Sequence, residues 1–512
     1  MTKITEQYPV LDVLVIGGGV NGSGIAMDAA GRGLKVLLCE MNDLASATSS
    51  SSSKLIHGGL RYLEFYEFRL VREALAERES LLRNAPHIMW PMRFCLPHQP
   101  HLRPAWMIRI GLFLYDHLAR RELLGASKGI RFDTDSPLVK GIKRGFLYSD
   151  GWVDDARLVV LCAKAAAAKG AQIRTRSRCV SAVREGPLWR VCLEDQHSGE
   201  QSEYRCRALV NAAGPWVSKV LTQAVGQTVA KQIRMVQGSH IVVPRMNIGE
   251  HAYILQNSDG RIVFVIPYED AFSLIGTTDV DYCGDPSQVT ISEQETEYLL
   301  AVVNSHFRQH ISVSDIVWSF SGVRPLMDDE SASAQKASRD YSFELDTPPG
   351  AAPLLSVFGG KITTYRKLAE AATDSLCRYF PDAKPAWTKT AVLPGGDFLD
   401  QPSLQRQLAG QYPWLPADLL QRWVRTYGTL CRHFLTGCES LESLGDHYGA
   451  GLYEQEVRYL VREEWALTVE DILWRRTKLG LRLQYASTTA LEHKLAQLLG
   501  SRLTTPAEPA NP

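Results

Sequence analysis

Residues 12–40 read DVLVIGGGVNGSGIAMDAAGRGLKVLLCE: an apolar run, a glycine turn, a helical pattern and a second apolar run. Val13 to Ile16 suit a strand buried on both faces, and Gly17, Gly19 and Gly22 follow with G-x-G-x-x-G spacing. In that pattern the first glycine permits a tight turn, the second lets a pyrophosphate reach the backbone, and the third lets the helix pack closely on the strand. A helix starting near Asn21 points its unpaired N–H groups and positive dipole end at the pyrophosphate, and the pattern stops it at Gly33. Leu34 to Cys39 give the second strand. Glu40 closes it, about twenty residues past the glycines, where a carboxylate receives ribose hydroxyls and rejects a 2′-phosphate. Framed by two strands and an acid, the glycines predict a parallel α/β dinucleotide domain.

Two later segments repeat the strand-to-glycine design. CRALVNAAGPW (206–216) runs an apolar strand into Gly214, with a helix expected from Trp216. PLLSVFGGKITTYRK (353–367) runs another into Gly359 and Gly360, with Lys361, Thr363 and Thr364 opening a helix that faces the same ligand. A nicotinamide domain is contiguous; three separated glycine corners closing on one large ligand fit FAD better, so the domain is expected to be discontinuous. The serine run of DLASATSSSSSKLIHGGLRYLE (43–64) follows the second strand, so it reads as a loop against the cofactor, with Ser49 its candidate contact. His57, Gly58 and Gly59 then permit close backbone approach, and Arg61 and Tyr62 follow at once.

Ser239 to Pro244, Arg261 to Pro267 and Phe272 to Asp279 are β-rich runs with little helix between them, which predicts an antiparallel sheet in a second, substrate-side part. Ser292 opens a helix through Phe307, and Asp154 and Asp155 are read as caps of another running to Ala168. Apolar positions at helical spacing from Glu67 to Leu82 predict a surface helix. Residues 97–121 mix large apolar side chains with Arg103, Arg109, Arg120 and Arg121; a core helix with snorkelling arginines is preferred to a helix lying in a membrane surface. From about Trp387 the pattern turns helical, so residues 1–387 are expected to form the oxidoreductase region and 388–512 a helical C-terminal domain, with a disordered tail from Thr504. Thr468 and Asp471 read as a capping box.

Across 512 residues, 56 basic side chains balance 56 acidic ones, so no nucleic-acid partner is expected and an anionic substrate requires a local cationic cluster. No apolar run reaches the roughly 18 residues of a membrane span, and MTKITEQYPV lacks a signal-peptide core. Ten cysteines without a C-x-x-C pair point to free thiols in a reducing compartment, hence the cytoplasm. His306 and His310 stand at i, i+4 without a third ligand, and no metal is expected.

GGGVNGSGIAMDAAGRG, SSKLIHGGLRYLE, GSHIVVP, GTTD, SGVRPL and FGGKITTYRK, in this order, closely resemble the bacterial aerobic FAD-dependent glycerol-3-phosphate dehydrogenases over nearly the whole chain. The resemblance implies a D-amino-acid-oxidase-like α/β fold: a discontinuous FAD-binding Rossmann-like part, a β-rich substrate part and an all-α C-terminal domain. It implies oxidation of sn-glycerol 3-phosphate to dihydroxyacetone phosphate, electron delivery to ubiquinone, peripheral attachment to the inner face of the cytoplasmic membrane, and a homodimer. It also implies that Arg324, with Arg61, Tyr62, Arg339 and Lys361, binds substrate. A phosphate dianion calls for a guanidinium fork, and Arg61, Arg324 and Lys361 stand beside glycine turns. His240 in GSHIVVP is the expected base, with Lys361 the runner-up. The cofactor candidates are Gly17, Gly19, Gly22, Glu40, Ser49, Gly214, Trp216, Gly359, Gly360 and Thr363. Two alternatives stay open at this level: an oxidase of the same fold passing electrons to oxygen or acting on an amino acid, and a flavin-bearing scaffold without turnover.

Overall fold

The structure, a computed structural model, describes residues 9–100, 102–228, 233–327, 340–483 and 485–502. It falls into two units that divide between Ala391 and Val392, with Ala85–Ile88 belonging to the second.

In the first unit, strand Leu11–Ile16 pairs in parallel with Val36–Cys39 on one side and Gln201–Asn211 on the other. Leu354–Gly359 extends the sheet in parallel beside Gln201–Asn211. Ile16 is level with Asn211, and Asn211 with Ser356, so three strands distant in sequence end at one sheet edge, each just before a glycine corner. The unbroken apolar runs follow from burial on both faces: Val13, Leu14, Val15, Leu37, Leu209 and Leu355 are wholly inaccessible. Helix Val20–Gly31 leaves the first corner, where Gly17 has φ +111°. A Cβ on Gly17 would lie 2.5 Å from Ala212 O, and one on Gly22 only 1.9 Å from Gly17 O, so turn and helix close together only without side chains.

The second sheet has ten strands. Ile233–Pro244 pairs antiparallel with Phe272–Gly276 and, over ten residues, with Trp318–Met327. Ile262–Tyr268 joins Phe272–Gly276, and Ala252–Gln256 carries the sheet to Met89–Pro97 and Arg144–Val153. Helix Glu293–His306, opened by a reciprocal Ser292–Glu295 capping box, packs Leu299 and Val303 on Ile241, Val265 and Ile275.

Three local expectations are corrected. Helix Phe68–Asn84 is not a surface helix, because its charged face is covered too: Glu77 receives the Arg366 guanidinium at 2.6 and 2.7 Å, and Arg78 reaches Asp150 at 2.5 Å. Helix Ala105–His117 is not a core helix. Only Leu112, Tyr115 and Asp116 are buried, while Trp106, Ile110 and Phe113 are 63%, 50% and 54% exposed. Its apolar residues wrap most of the circumference, and the core takes one narrow strip. Asp154 caps helix Asp155–Ala167, but Asp155 does something else: it accepts Ser52 Oγ and Lys54 Nζ, both at 2.7 Å, and so anchors the serine loop. Among the described residues no helix is long and apolar enough to cross a membrane.

The second unit is helical, with Gln401–Gln411, Ala417–Tyr427, Glu454–Glu463 and Tyr485–Arg502 as its longer elements. Leu408, Trp423, Tyr427, Leu435, Leu460 and Ile472 fill its core. The buried Glu456 carboxylate collects Arg422, Trp423 Nε1 and Tyr427 Oη, so the charge is paired and hydrogen-bonded. Thr468 and Asp471 exchange side-chain to backbone bonds at 3.0 and 3.2 Å, as a capping box requires. The tail from Thr504 lies outside the described residues.

Candidate active site

The three glycine corners meet on one cavity of about 420 Å³ in the first unit, lined by Gly17, Gly19, Gly214, Gly359 and Gly360. Glu40, Ser49, Trp216, Arg61, Tyr62, Arg324 and Lys361 line it as well. Residues far apart in sequence thus face a common space, and the parallel register of the three strand ends brings the three corners to it.

At the end nearest the first corner, Glu40 Oε2 accepts the Gly18 N–H at 2.7 Å and Oε1 the Asn42 N–H at 2.8 Å. Burial pushes the Glu40 carboxyl up, opposed by these two hydrogen bonds. An ionised carboxylate offers about four lone-pair directions, so two remain for ribose hydroxyls. Ser49 Oγ accepts the Val20 N–H at 3.0 Å, bringing the serine loop across the start of the helix. Asn21 donates to Gly359 O at 3.1 Å, joining the first corner to the third, while its Oδ1 is buried without a partner. A helix N-terminus flanked by glycine backbone fits a diphosphate, and the orphaned Asn21 Oδ1, an acceptor, suits a hydroxyl donor of the same cofactor.

The His57–Gly59 turn is held from behind. The Gly58 N–H donates to Tyr115 Oη at 2.7 Å, and Tyr115 donates to Asp150 at 2.8 Å. Asp150, which lines the cavity, has its carboxyl raised by burial despite the Arg78 guanidinium beside it. Gly59 has φ +74°, and a Cβ there would sit 2.2 Å from the Tyr62 ring. That ring carries Lys361 Nζ 4.0 Å above its centre, so Tyr62 orients the lysine by a cation–π contact. Arg324 is ion-paired with Asp279 and donates to Thr277 Oγ1 at 2.9 Å; all three line the cavity.

Three expected site residues stand elsewhere. Gly22 packs the helix on Gly17, and Thr363 accepts the His57 N–H at 3.2 Å from behind the turn; neither lines the cavity. His240 is 1% exposed, stacks on Phe320 with ring centroids 4.8 Å apart, and shares a 2.9 Å hydrogen bond between its Nε2 and Ser53 Oγ. His240, the base expected from the sequence, thus does not line the cavity, whereas its hydrogen-bond partner Ser53 does. Burial, then Arg324 and Lys54, holds the imidazole well below its ordinary value, so it is neutral. Arg339 lies outside the described residues. Ser53, Asn21, Asp150, Thr277 and Asp279 were not singled out from the sequence; GTTD marked the last two as part of a motif without a role.

The sequence profile of the FAD dependent oxidoreductases matches residues 12–366, which span all three corners and both sheets. The chain belongs to the FAD-dependent oxidoreductase family. FAD is accordingly the cofactor, and the glycine corners, Glu40 and Asn21 are the residues that would hold it. The C-terminal domain of alpha-glycerophosphate oxidase matches residues 386–508 of this oxidoreductase. It is 60% identical to a glycerol-3-phosphate dehydrogenase of Pseudomonas aeruginosa, with 92% of each chain covered. It is 54% identical to the aerobic glycerol-3-phosphate dehydrogenase of Escherichia coli, over 96% of this chain and 99% of the relative. The crystal structure of a Bacillus halodurans glycerol-3-phosphate dehydrogenase complexed with FAD is similar at a TM-score of 0.73 and 27% identity, covering 97% of this chain and 91% of that one. The D-amino-acid-oxidase-like architecture expected from the motifs is the one observed.

Proposed function

We propose that this flavoprotein oxidises sn-glycerol 3-phosphate to dihydroxyacetone phosphate and passes the electrons to ubiquinone. One observation carries the substrate assignment: Arg61, Arg324 and Lys361 line the same cavity as the flavin corners. An amino-acid substrate needs one cation for its carboxylate, whereas a phosphate dianion rewards several. Arg324 offers the fork, Arg61 adds charge, and Lys361 is steadied by Tyr62. Bound FAD supplies a hydride acceptor for the C2–H bond. The C2 hydroxyl proton then leaves through Ser53 Oγ toward the neutral imidazole of His240, and Lys361 Nζ is the second group in reach of the cavity.

The exposed apolar face of helix Ala105–His117 supports a peripheral position on the inner face of the cytoplasmic membrane, where a quinone is at hand. Anaerobic addition of glycerol 3-phosphate should bleach the flavin absorbance, and a ubiquinone analogue should restore it without peroxide. A flavin that stays yellow would remove the substrate assignment; peroxide formation in place of quinone reduction would make the protein an oxidase.

A further inference from the structure

Behind the cavity wall that carries Arg324, one carboxylate ties separate segments together. Glu295, on helix Glu293–His306, is 6% exposed and accepts hydrogen bonds on both oxygens. Oε1 receives Ser239 Oγ at 2.8 Å and Thr278 Oγ1 at 2.6 Å. Oε2 receives Gln237 Nε2 at 2.8 Å and both the N–H and hydroxyl of Ser292 at 2.9 Å. Thr278 Oγ1 itself accepts the Ser239 N–H at 2.9 Å, so its own proton is committed to Glu295.

Thr278 is flanked by the two groups that hold the Arg324 guanidinium, Thr277 and Asp279, and these face the cavity while Thr278 is wholly buried. On the neighbouring strand, side chains alternate in the same sense. Gln237 and Ser239 reach Glu295, whereas a Cβ on Gly238 would fall 2.2 Å from Arg324 Nη2 and His240 meets Ser53.

We propose that Glu295 is a positioning residue for substrate binding: by pinning Thr278 and Ser239 from behind, it fixes the backbone from which Thr277 and Asp279 aim Arg324 at the anionic group of the substrate. An arginine has much rotamer freedom to lose, and a fork misplaced by about 1 Å no longer makes two hydrogen bonds to one anion. Glutamine at this position would bring an amide NH₂ to a point where donors already converge, and Thr278 would have to turn away. The inference rests on Arg324 being the phosphate ligand.

Full-length, FAD-loaded protein is compared in four forms: wild type, Glu295→Gln, Thr278→Val, and Asn304→Ala as a structural control. Asn304 lies on the same helix, and among the described residues its side chain bonds Ile311 alone, at 2.9 and 2.8 Å. Two quantities are read: KM and kcat for glycerol 3-phosphate, and the Kd of dihydroxyacetone phosphate on the oxidised protein by calorimetry. Glu295→Gln and Thr278→Val should raise KM and Kd about tenfold, with kcat within about twofold and FAD content unchanged. Asn304→Ala should lower Tm and leave both constants alone. Thr278→Val decides if Glu295→Gln does not fold. Unchanged constants in the folded variants, or an equal rise in Asn304→Ala, overturn the inference while wild-type reduction stands. A wild-type flavin indifferent to glycerol 3-phosphate overturns the substrate reading and this inference with it.

Discussion

Arg324 is ion-paired with Asp279 and donates to Thr277, contacts that hold its guanidinium in place before an anion arrives. Arg324→Ala should therefore raise KM by roughly 10- to 100-fold, the worth of a charge-assisted bidentate contact, with FAD still bound; unchanged kinetics would take Arg324 out of the phosphate site. His240 makes a prediction of a different kind. Its imidazole is held well below the ordinary value of about 6.5 by burial and by Arg324 and Lys54. Between those two values only the unfolded chain takes up the proton, so acidification below about pH 6.5 favours unfolding. His240→Gln should thus lose less Tm than the wild type between about pH 7.5 and about pH 5.5, and an equal loss in both would contradict the assignment of a depressed imidazole.

The serine loop shows how an element is held in place without secondary structure. Ser52 and Lys54 both converge on Asp155, whose side chain and that of Lys54 are almost wholly buried. Asp155→Asn should leave Lys54 as an uncompensated buried charge and cost about 3–5 kcal/mol in urea unfolding, with loss of FAD from the folded fraction. At the first corner, Gly19→Val should give a folded protein that no longer retains FAD. Even the first carbon of a side chain there would stand 3.1 Å from Ser49 Oγ, and the branches would fill the approach to the backbone. Retention of stoichiometric FAD would displace the pyrophosphate from this turn. Elements whose logic is periodic were legible: Val13–Ile16, the corners at 17, 214 and 359, the helix start at Ser292 and the capping box of Thr468 and Asp471 all follow from short-range rules. What escaped depends on partners far away in the chain. Nothing in the spacing of Phe68–Asn84 says that Arg366 will cover Glu77, and nothing near His240 says that Ser53 will stand between it and the cavity.

At the scale of the molecule, the first unit gathers three glycine corners and the cations of Arg61, Arg324 and Lys361 around one cavity, and turns an apolar helix outward from the same unit. Replacing Trp106 and Phe113 together by serine should weaken partition onto anionic vesicles by roughly tenfold or more while KM with a soluble acceptor is unchanged. Equal vesicle binding by the double variant would mean that another surface meets the lipid. Polyol-phosphate oxidation at the flavin is reached most directly by one measurement: anaerobic titration of the FAD-loaded protein with sn-glycerol 3-phosphate, followed by absorbance. The flavin should be fully reduced at one equivalent, with dihydroxyacetone phosphate recovered in equal amount; a spectrum unmoved by excess substrate would contradict it.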